Sequence, residues 1–230
     1  MEKLIIKVKY QGLGDQLFYS HIPRIAKESG KYKQVLISNK PALRNKDYTK
    51  LIWELNPYVD GFTDEEGVFI DNIEIKDPSK ENILDRIMLG FGLDDGKRFH
   101  EPEIYYKPKN IEFLNDKVVY DPNYVSNAGL GIGISIEKFL RKRGTGFDYQ
   151  LVVRKPHSIP TFCFDEFIKA DTFWDFIDII FSAKKVYCLA TGTATLIPAL
   201  GKTANVFYTS NINRIFTHSK LNNYIKLLTK

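Results

Sequence analysis

Cysteine is scarce in this chain: Cys163 and Cys188 are the only two in 230 residues. Two thiols cannot make a disulfide framework and suit a reducing compartment, and without a C-x-x-C spacing they argue against a structural zinc site. The four histidines, His21, His100, His157 and His218, are scattered and form no H-E-x-x-H. No G-x-S-x-G nucleophile elbow occurs, and no Gly-Lys-Ser/Thr phosphate loop. Asp-x-Asp is missing too, with only the adjacent Asp94-Asp95 in its place, so a metal-held diphosphate has no obvious ligands. Long hydrophobic runs are absent: Leu4 to Val8 is already broken by Lys7, far short of the ~18–20 residues of a membrane span. The first residues do not read as a secretory signal. These absences together lead us to expect a soluble, cytoplasmic protein with no stable membrane insertion and no metal or other cofactor.

What is present reads as globular. Hydrophobic residues make up 43% of the chain and charged ones 27%, which excludes a disordered tail, a collagen or a coiled coil. Lys and Arg total 33 against 28 Asp and Glu, for a net charge of +5. The signs are well mixed, unlike the basic stripe of a dedicated nucleic-acid binder. One dense basic run stands out, Lys138, Arg141, Lys142 and Arg143. Two readings fit it: a solvated helix face, or a seat for an anionic small ligand such as a diphosphate.

Strand and helix patterns alternate along the chain. Leu4–Tyr10 and Gln34–Ser38 read as strands, as does Val59–Phe62. Between them lie helical spacings from Gln16 to Gly30 and from Tyr48 to Leu55, and a further amphipathic helix runs from Ser79 to Gly92. The rhythm breaks near Pro102 to Asn115 and resumes with strands at Lys117–Tyr120, Gln150–Val153, Lys185–Leu189 and Ala204–Tyr208. Helices are expected at Ile134–Lys142, Trp174–Ala183 and Ala194–Leu200, and a closing helix at Asn222–Leu228. The pattern predicts an α/β protein of two small Rossmann-like domains, residues 1–112 and 113–230, each with a parallel sheet.

Three segments could carry chemistry. Gln11-Gly12-Leu13-Gly14-Asp15-Gln16 falls between the first strand and first helix, at the carboxyl edge where parallel sheets bind ligands. Gly12 and Gly14 would let a ligand approach the backbone. Leu17 stands where a dinucleotide fingerprint needs its third glycine. Asp15 suits either of two roles, a cap on the new helix or a general base on a hydroxyl. Thr191-Gly192-Thr193-Ala194 occupies the same kind of position in the second half, where its N–H groups could receive a phosphate or its threonines simply cap the helix. Tyr120-Asp121-Pro122-Asn123-Tyr124, continuing to the glycine-rich Asn127 to Gly133 and followed by Lys138 and Arg141, would make a flexible loop after a strand that could close over a ligand.

These motifs resemble the heptosyltransferase family of bacterial glycosyltransferases. Lys7 through Leu17 with Pro23 resembles the family's opening strand and Gly-Asp turn, and Asn56-Pro57-Tyr58-Val59-Asp60 resembles its N-P-x-V-D segment. Phe173 to Thr209, with Thr191-Gly192 and Ala199-Leu200-Gly201-Lys202, resembles its donor-binding half. The resemblance implies a GT-B fold, two Rossmann-like domains facing across a cleft, with an N-terminal acceptor domain and a C-terminal nucleotide-sugar domain. It implies metal-independent sugar transfer, with Asp15 as the base and Thr191 and Gly192 on the donor phosphates. Ala190 and Thr195 replace the Asp and His that the family usually carries around Thr-Gly. Gly12 to Tyr19 is also similar to the opening of α-1,2-fucosyltransferases, GT-B enzymes too, although their H-x-R motif is absent. The expected acceptor is a surface glycan or lipid-linked core, with a hydroxymethylated DNA base as second choice. The alternative expectation is a non-catalytic module that binds a nucleotide or sugar.

Overall fold

A computed structural model describes residues 2–43, 45–71, 73–123, 146–153, 166–208 and 217–227. The Ile134–Lys142 helix, the Asn127–Gly133 loop, Lys138, Arg141 and Cys163 lie outside these residues. The chain divides into two compact units, Met1–Tyr106 and Lys107–Lys230. Lys107–Leu114 belongs with the second because its backbone is held there: the Lys109 N–H donates to Asp178 Oδ1 at 3.0 Å and the Ile111 N–H to Ser182 Oγ at 2.7 Å.

In the first unit, β1 (Glu2–Ile6), β2 (Tyr32–Ser38) and β3 (Gly61–Thr63) form a parallel sheet in that order. Val68 adds a parallel bridge to Ile6 on the other edge of β1. β1 stops earlier than the apolar run suggests, because beyond Lys7 the backbone turns into the glycine loop. The long helix expected from Gln16 to Gly30 is two helices, α1 (Leu13–Leu17) and α2 (Ile22–Glu28). Pro23, which lacks an N–H, starts α2 at its first turn, so the helical ladder cannot run through. α3 (Lys46–Thr49), capped by the Asn45 side chain, widens into a π-helical turn at Lys50–Glu54 that carries the fully buried Trp53. α4 (Ile83–Gly90) opens with a reciprocal capping box between Asn82 and Asp85.

Asp85 also anchors a buried polar knot. Its carboxylate accepts from His100 Nδ1 at 2.6 Å and from the Phe99 and His100 N–H groups. The His100 ring lies 5.4 Å from that of His21, which is wholly buried and bonds the Leu84 carbonyl through Nε2. Burial holds His21 neutral, lowering its pKa to about 3.

The second unit is one six-stranded parallel sheet of β4 (Val118–Asp121), β5 (Tyr149–Val153), β6 (Phe167–Ala170), β7 (Lys185–Leu189), β8 (Ala204–Tyr208) and β9 (Asn223–Lys226). Its order, β6-β5-β4-β7-β8-β9, is the 3-2-1-4-5-6 order of doubly wound nucleotide-binding sheets when counted from β4. α5 (Phe173–Ser182) carries a Thr172–Asp175 capping box, and α6 (Gly192–Ala199) follows β7. Within the segment expected as a closing helix, Asn222–Leu228, the residues Asn223–Lys226 form β9 instead. Tyr224 and Ile225 are strand formers, and β8 offers them a parallel partner edge, while Asn222 Nδ2 donates to the Ala194 carbonyl at 2.7 Å and its Oδ1 accepts from the Ala204 N–H.

Candidate functional site

The carboxyl end of β1 delivers the chain into the glycine loop and α1. Asp15 occupies the third helical position, and its carboxylate folds back onto the Gly12 N–H, satisfying a group that the helix start leaves unpaired. A Cβ on Gly12 would stand 2.6 Å from Asp15 Oδ2, so this glycine makes room for the carboxylate. Burial raises the Asp15 pKa, and the Gly12 N–H partly offsets it. A carboxylate made more basic while still able to ionise is the state a general base needs. Gln16 fixes the loop from the other side, accepting from Trp53 Nε1 at 3.0 Å while its Nε2 reaches the Gln11 carbonyl at 3.4 Å. The π-helical turn that aims Trp53 inward therefore supports this loop. Among the described residues, a cavity of about 620 Å³ opens elsewhere in the unit, where Asn39 follows β2 and Phe62 lies in β3; Lys46, Asp47 and Lys50 line it as well.

The second candidate lies at the topological switch point of the larger sheet, between the carboxyl ends of β4 and β7. Thr191 is extended and makes no side-chain cap, so neither it nor Thr193 closes the start of α6. The Thr193 hydroxyl donates instead to Asp121 Oδ2 at 2.7 Å. Asp121 ends β4 fully buried, and its Oδ1 accepts from the Asn123 backbone N–H at 3.0 Å and from Asn123 Nδ2. Asn123 Nδ2 also reaches the Leu151 carbonyl on β5 at 3.1 Å. One carboxylate thus ties the ends of two strands to the first turn of α6. Burial raises the Asp121 pKa despite the Thr193 and Asn123 hydrogen bonds that work against it.

Gly12, Gly14 and Asp15 fall together at the end of β1, and Thr191, Gly192, Thr193 and Ala194 together at the end of β7. Sequence reasoning placed Gln16 and Asp121 inside candidate segments without giving either a role, and it missed Trp53. Asp121 was within reach, since a lone Asp ending an apolar strand, followed by Pro and Asn, is a buried carboxylate needing partners. The charge also divides by unit: residues 1–106 hold 16 Lys and Arg against 18 Asp and Glu, whereas residues 107–230 hold 17 against 10.

No family model matches the sequence, and none of the curated proteins matches it. Solved structures do share its fold. A family 9 glycosyl transferase from Veillonella parvula DSM 2008 aligns over 99% of this chain and 86% of its own, with a TM-score of 0.55 at 10% identity. TibC, an iron-containing dodecameric glycosyltransferase from enterotoxigenic E. coli H10407, aligns over 96% of this chain at a TM-score of 0.62 and 12% identity. The chain spans 63% of TibC, which has also been solved in complex with ADP-D-beta-D-heptose. The E. coli heptosyltransferase WaaC with ADP aligns over 98% of this chain and 93% of its own at a TM-score of 0.53 and 9% identity. The fold is the α/β, parallel-sheet fold of these glycosyltransferases. No group of three His, Cys, Asp or Glu side chains converges on a metal position among the described residues. Nor is any described helix long and apolar enough to cross a membrane.

Proposed function

We propose that the chain is a GT-B glycosyltransferase that moves a sugar from a nucleotide-diphosphate donor to an acceptor hydroxyl in the cytoplasm, without a metal. The observation that carries this reading is the likeness of nearly the whole chain to solved glycosyltransferases, among them TibC in complex with ADP-D-beta-D-heptose and WaaC with ADP. In this reading the first unit takes the acceptor and the second the nucleotide sugar. Asp15 removes the acceptor proton as the anomeric carbon becomes oxocarbenium-like. The backbone N–H groups of Thr191, Gly192, Thr193 and Ala194 stabilise the departing diphosphate, and Lys138 and Arg141 add positive charge. Gly12 and Gly14 keep the loop slim enough for substrate to reach Asp15. Asp121 is a positioning residue that holds Thr193 and the start of α6. The acceptor is a surface glycan or lipid-linked core ahead of a hydroxymethylated DNA base.

A panel of nucleotide sugars, assayed for transfer and for donor hydrolysis with wild type and Asp15→Asn, tests this directly. Turnover of one donor that collapses in Asp15→Asn is the expected result. Nucleotide binding with neither hydrolysis nor transfer would leave the chain a non-catalytic binding module.

A further inference from the structure

Past β1 the chain presents Lys9 and Tyr10 at the same carboxyl edge as Asp15, and the strand-like segment at Val68 brings Phe69 beside them. Tyr10 is 57% exposed and meets Phe69 edge to face, with ring centroids 6.1 Å apart at 77°. Lys9 Nζ lies 5.7 Å from the Tyr10 centroid and 5.6 Å from that of Phe69. Phe69 also stacks on Tyr19, with ring centroids 6.5 Å apart at 23°, just past the end of α1. Tyr19 is close enough to Asp15 and Tyr10 for both to raise its pKa, after burial. Tyr10 and Phe69 thus make an edge-to-face pair, open at Tyr10, with the Lys9 cation against both rings and the buried Tyr19 packed on Phe69. Core packing does not require an exposed tyrosine and lysine at this place.

We propose that Tyr10, Phe69 and Lys9 form an acceptor subsite that stacks a pyranose ring, which makes the acceptor a glycan. This rests on the glycosyl-transfer reading of Asp15. A puckered sugar offers C–H groups to one aromatic face while its rim of hydroxyl or acidic groups meets Lys9, and an edge-to-face corner suits that shape. A flipped nucleobase is flat and is gripped by stacking between side chains, a slot that two rings at 77° do not make. DNA phosphates would also need several cations, whereas residues 1–106 carry 16 Lys and Arg against 18 Asp and Glu. A lipid chain would need a longer apolar groove than two rings provide.

The test uses the full chain on an array of neutral and acidic oligosaccharides, with a duplex carrying 5-hydroxymethylcytosine as a second probe. Wild type should bind at least one oligosaccharide, and Tyr10→Ala should weaken that binding roughly tenfold or more. Tyr10→Phe, which keeps the ring, should bind like wild type, and Lys9→Gln should weaken acidic glycans more than neutral ones. Because Tyr10 is exposed, its replacement leaves the fold intact. Binding to no oligosaccharide, equal binding by wild type and Tyr10→Ala, or Tyr10-dependent binding of the duplex alone overturns the proposal. Asp15→Asn separates this from the enzymatic reading, since it should bind the glycan normally while losing transfer. Tyr10-dependent glycan binding with no transfer from any nucleotide sugar would refute the enzyme and keep the subsite. Transfer with an unchanged acceptor KM in Tyr10→Ala would do the reverse.

Discussion

Asp121 is the residue whose replacement tests the second site most sharply. In Asp121→Ala the Thr193 hydroxyl and the Asn123 backbone N–H both lose their acceptor in a buried place. Each buried donor left unpaired costs about 1–3 kcal/mol, so the variant should lose about 3 kcal/mol or more. For a unit of this size that lowers the melting temperature by roughly 10 °C. Asp121→Asn should behave differently. Its carboxamide oxygen can keep both Asn123 bonds, and its NH2 can donate to Thr193 Oγ1 once that hydroxyl turns to accept. The Asn variant should therefore stay within about 1 kcal/mol of wild type.

The pH dependence gives a second handle on the same residue. Burial raises the native Asp121 pKa above its ordinary 3.8. Between those two values the native protein holds more protons at this site than the unfolded chain, so the stability Asp121 contributes falls as pH rises. It is fully present only below the ordinary carboxylate value. Asp121→Asn removes this dependence, so its stability relative to wild type should improve from pH 4 to pH 7. Calorimetry or chemical denaturation of the three proteins across that range measures it. An Ala variant as stable as wild type, or an Asn variant as damaged as Ala at every pH, would refute the hydrogen-bond account of this residue.

Asp15→Asn should lower turnover by at least about 10²-fold with nucleotide affinity unchanged, as steady-state kinetics beside calorimetric titration would show. Gly12→Ala, whose Cβ collides with Asp15 Oδ2, should lower turnover by roughly tenfold or more with the same intact nucleotide binding. Treatment with EDTA should leave the rate of transfer unchanged, and loss of activity restored by added metal would contradict the metal-free reading. His21 is held neutral with a pKa of about 3 against 6.5 unfolded, so the unfolded chain binds more protons in that window and the fold loses stability as pH drops through it. At pH 5 this costs about 2 kcal/mol, and His21→Leu should be more stable relative to wild type at pH 5 than at pH 8, by denaturation. Binding of a 5-hydroxymethylcytosine duplex should show no steep dependence on salt, and a slope corresponding to several phosphate contacts would restore DNA as the acceptor.

Periodicity found most of the elements because both sheets are parallel and covered by helices, a design that writes buried strands as β-branched runs and helices as amphipathic ones. Lys185–Leu189 and Ala204–Tyr208 are strands over the residues their composition suggests. Local patterns failed where a contact distant in sequence decides. β6 is a four-residue strand whose outer residue Phe167 is exposed, and it exists because Gln150 to Val153 offer it a partner edge. β9 likewise takes its conformation from β8, and a helical reading of Asn222–Leu228 has no access to that edge. The loops at Asp15 and Thr191 were legible because glycine and hydroxyl residues sit at strand-to-helix junctions. Asp121 was legible only as a residue of a candidate segment that would need partners, because its partner Thr193 is 72 residues away and only the strand order brings the two together.

The charge balance gains its meaning from that same strand order. A net +5 spread evenly would say little about partners. Divided at Tyr106, it becomes a slight acidic excess before the boundary and a basic excess of 17 over 10 after it. The basic half is the one whose sheet has a nucleotide-type order and whose switch point bears a helix start that no side chain caps. A diphosphate concentrates its charge within a few ångströms, so it needs cations and backbone N–H groups in one place. The near-neutral half instead offers a half-buried carboxylate and exposed rings, which suit an uncharged or weakly acidic hydroxylic substrate. In the glycosyl-transfer reading proposed above, a polyanion would find no cationic excess on the first half, and this ranks a glycan above DNA as the acceptor.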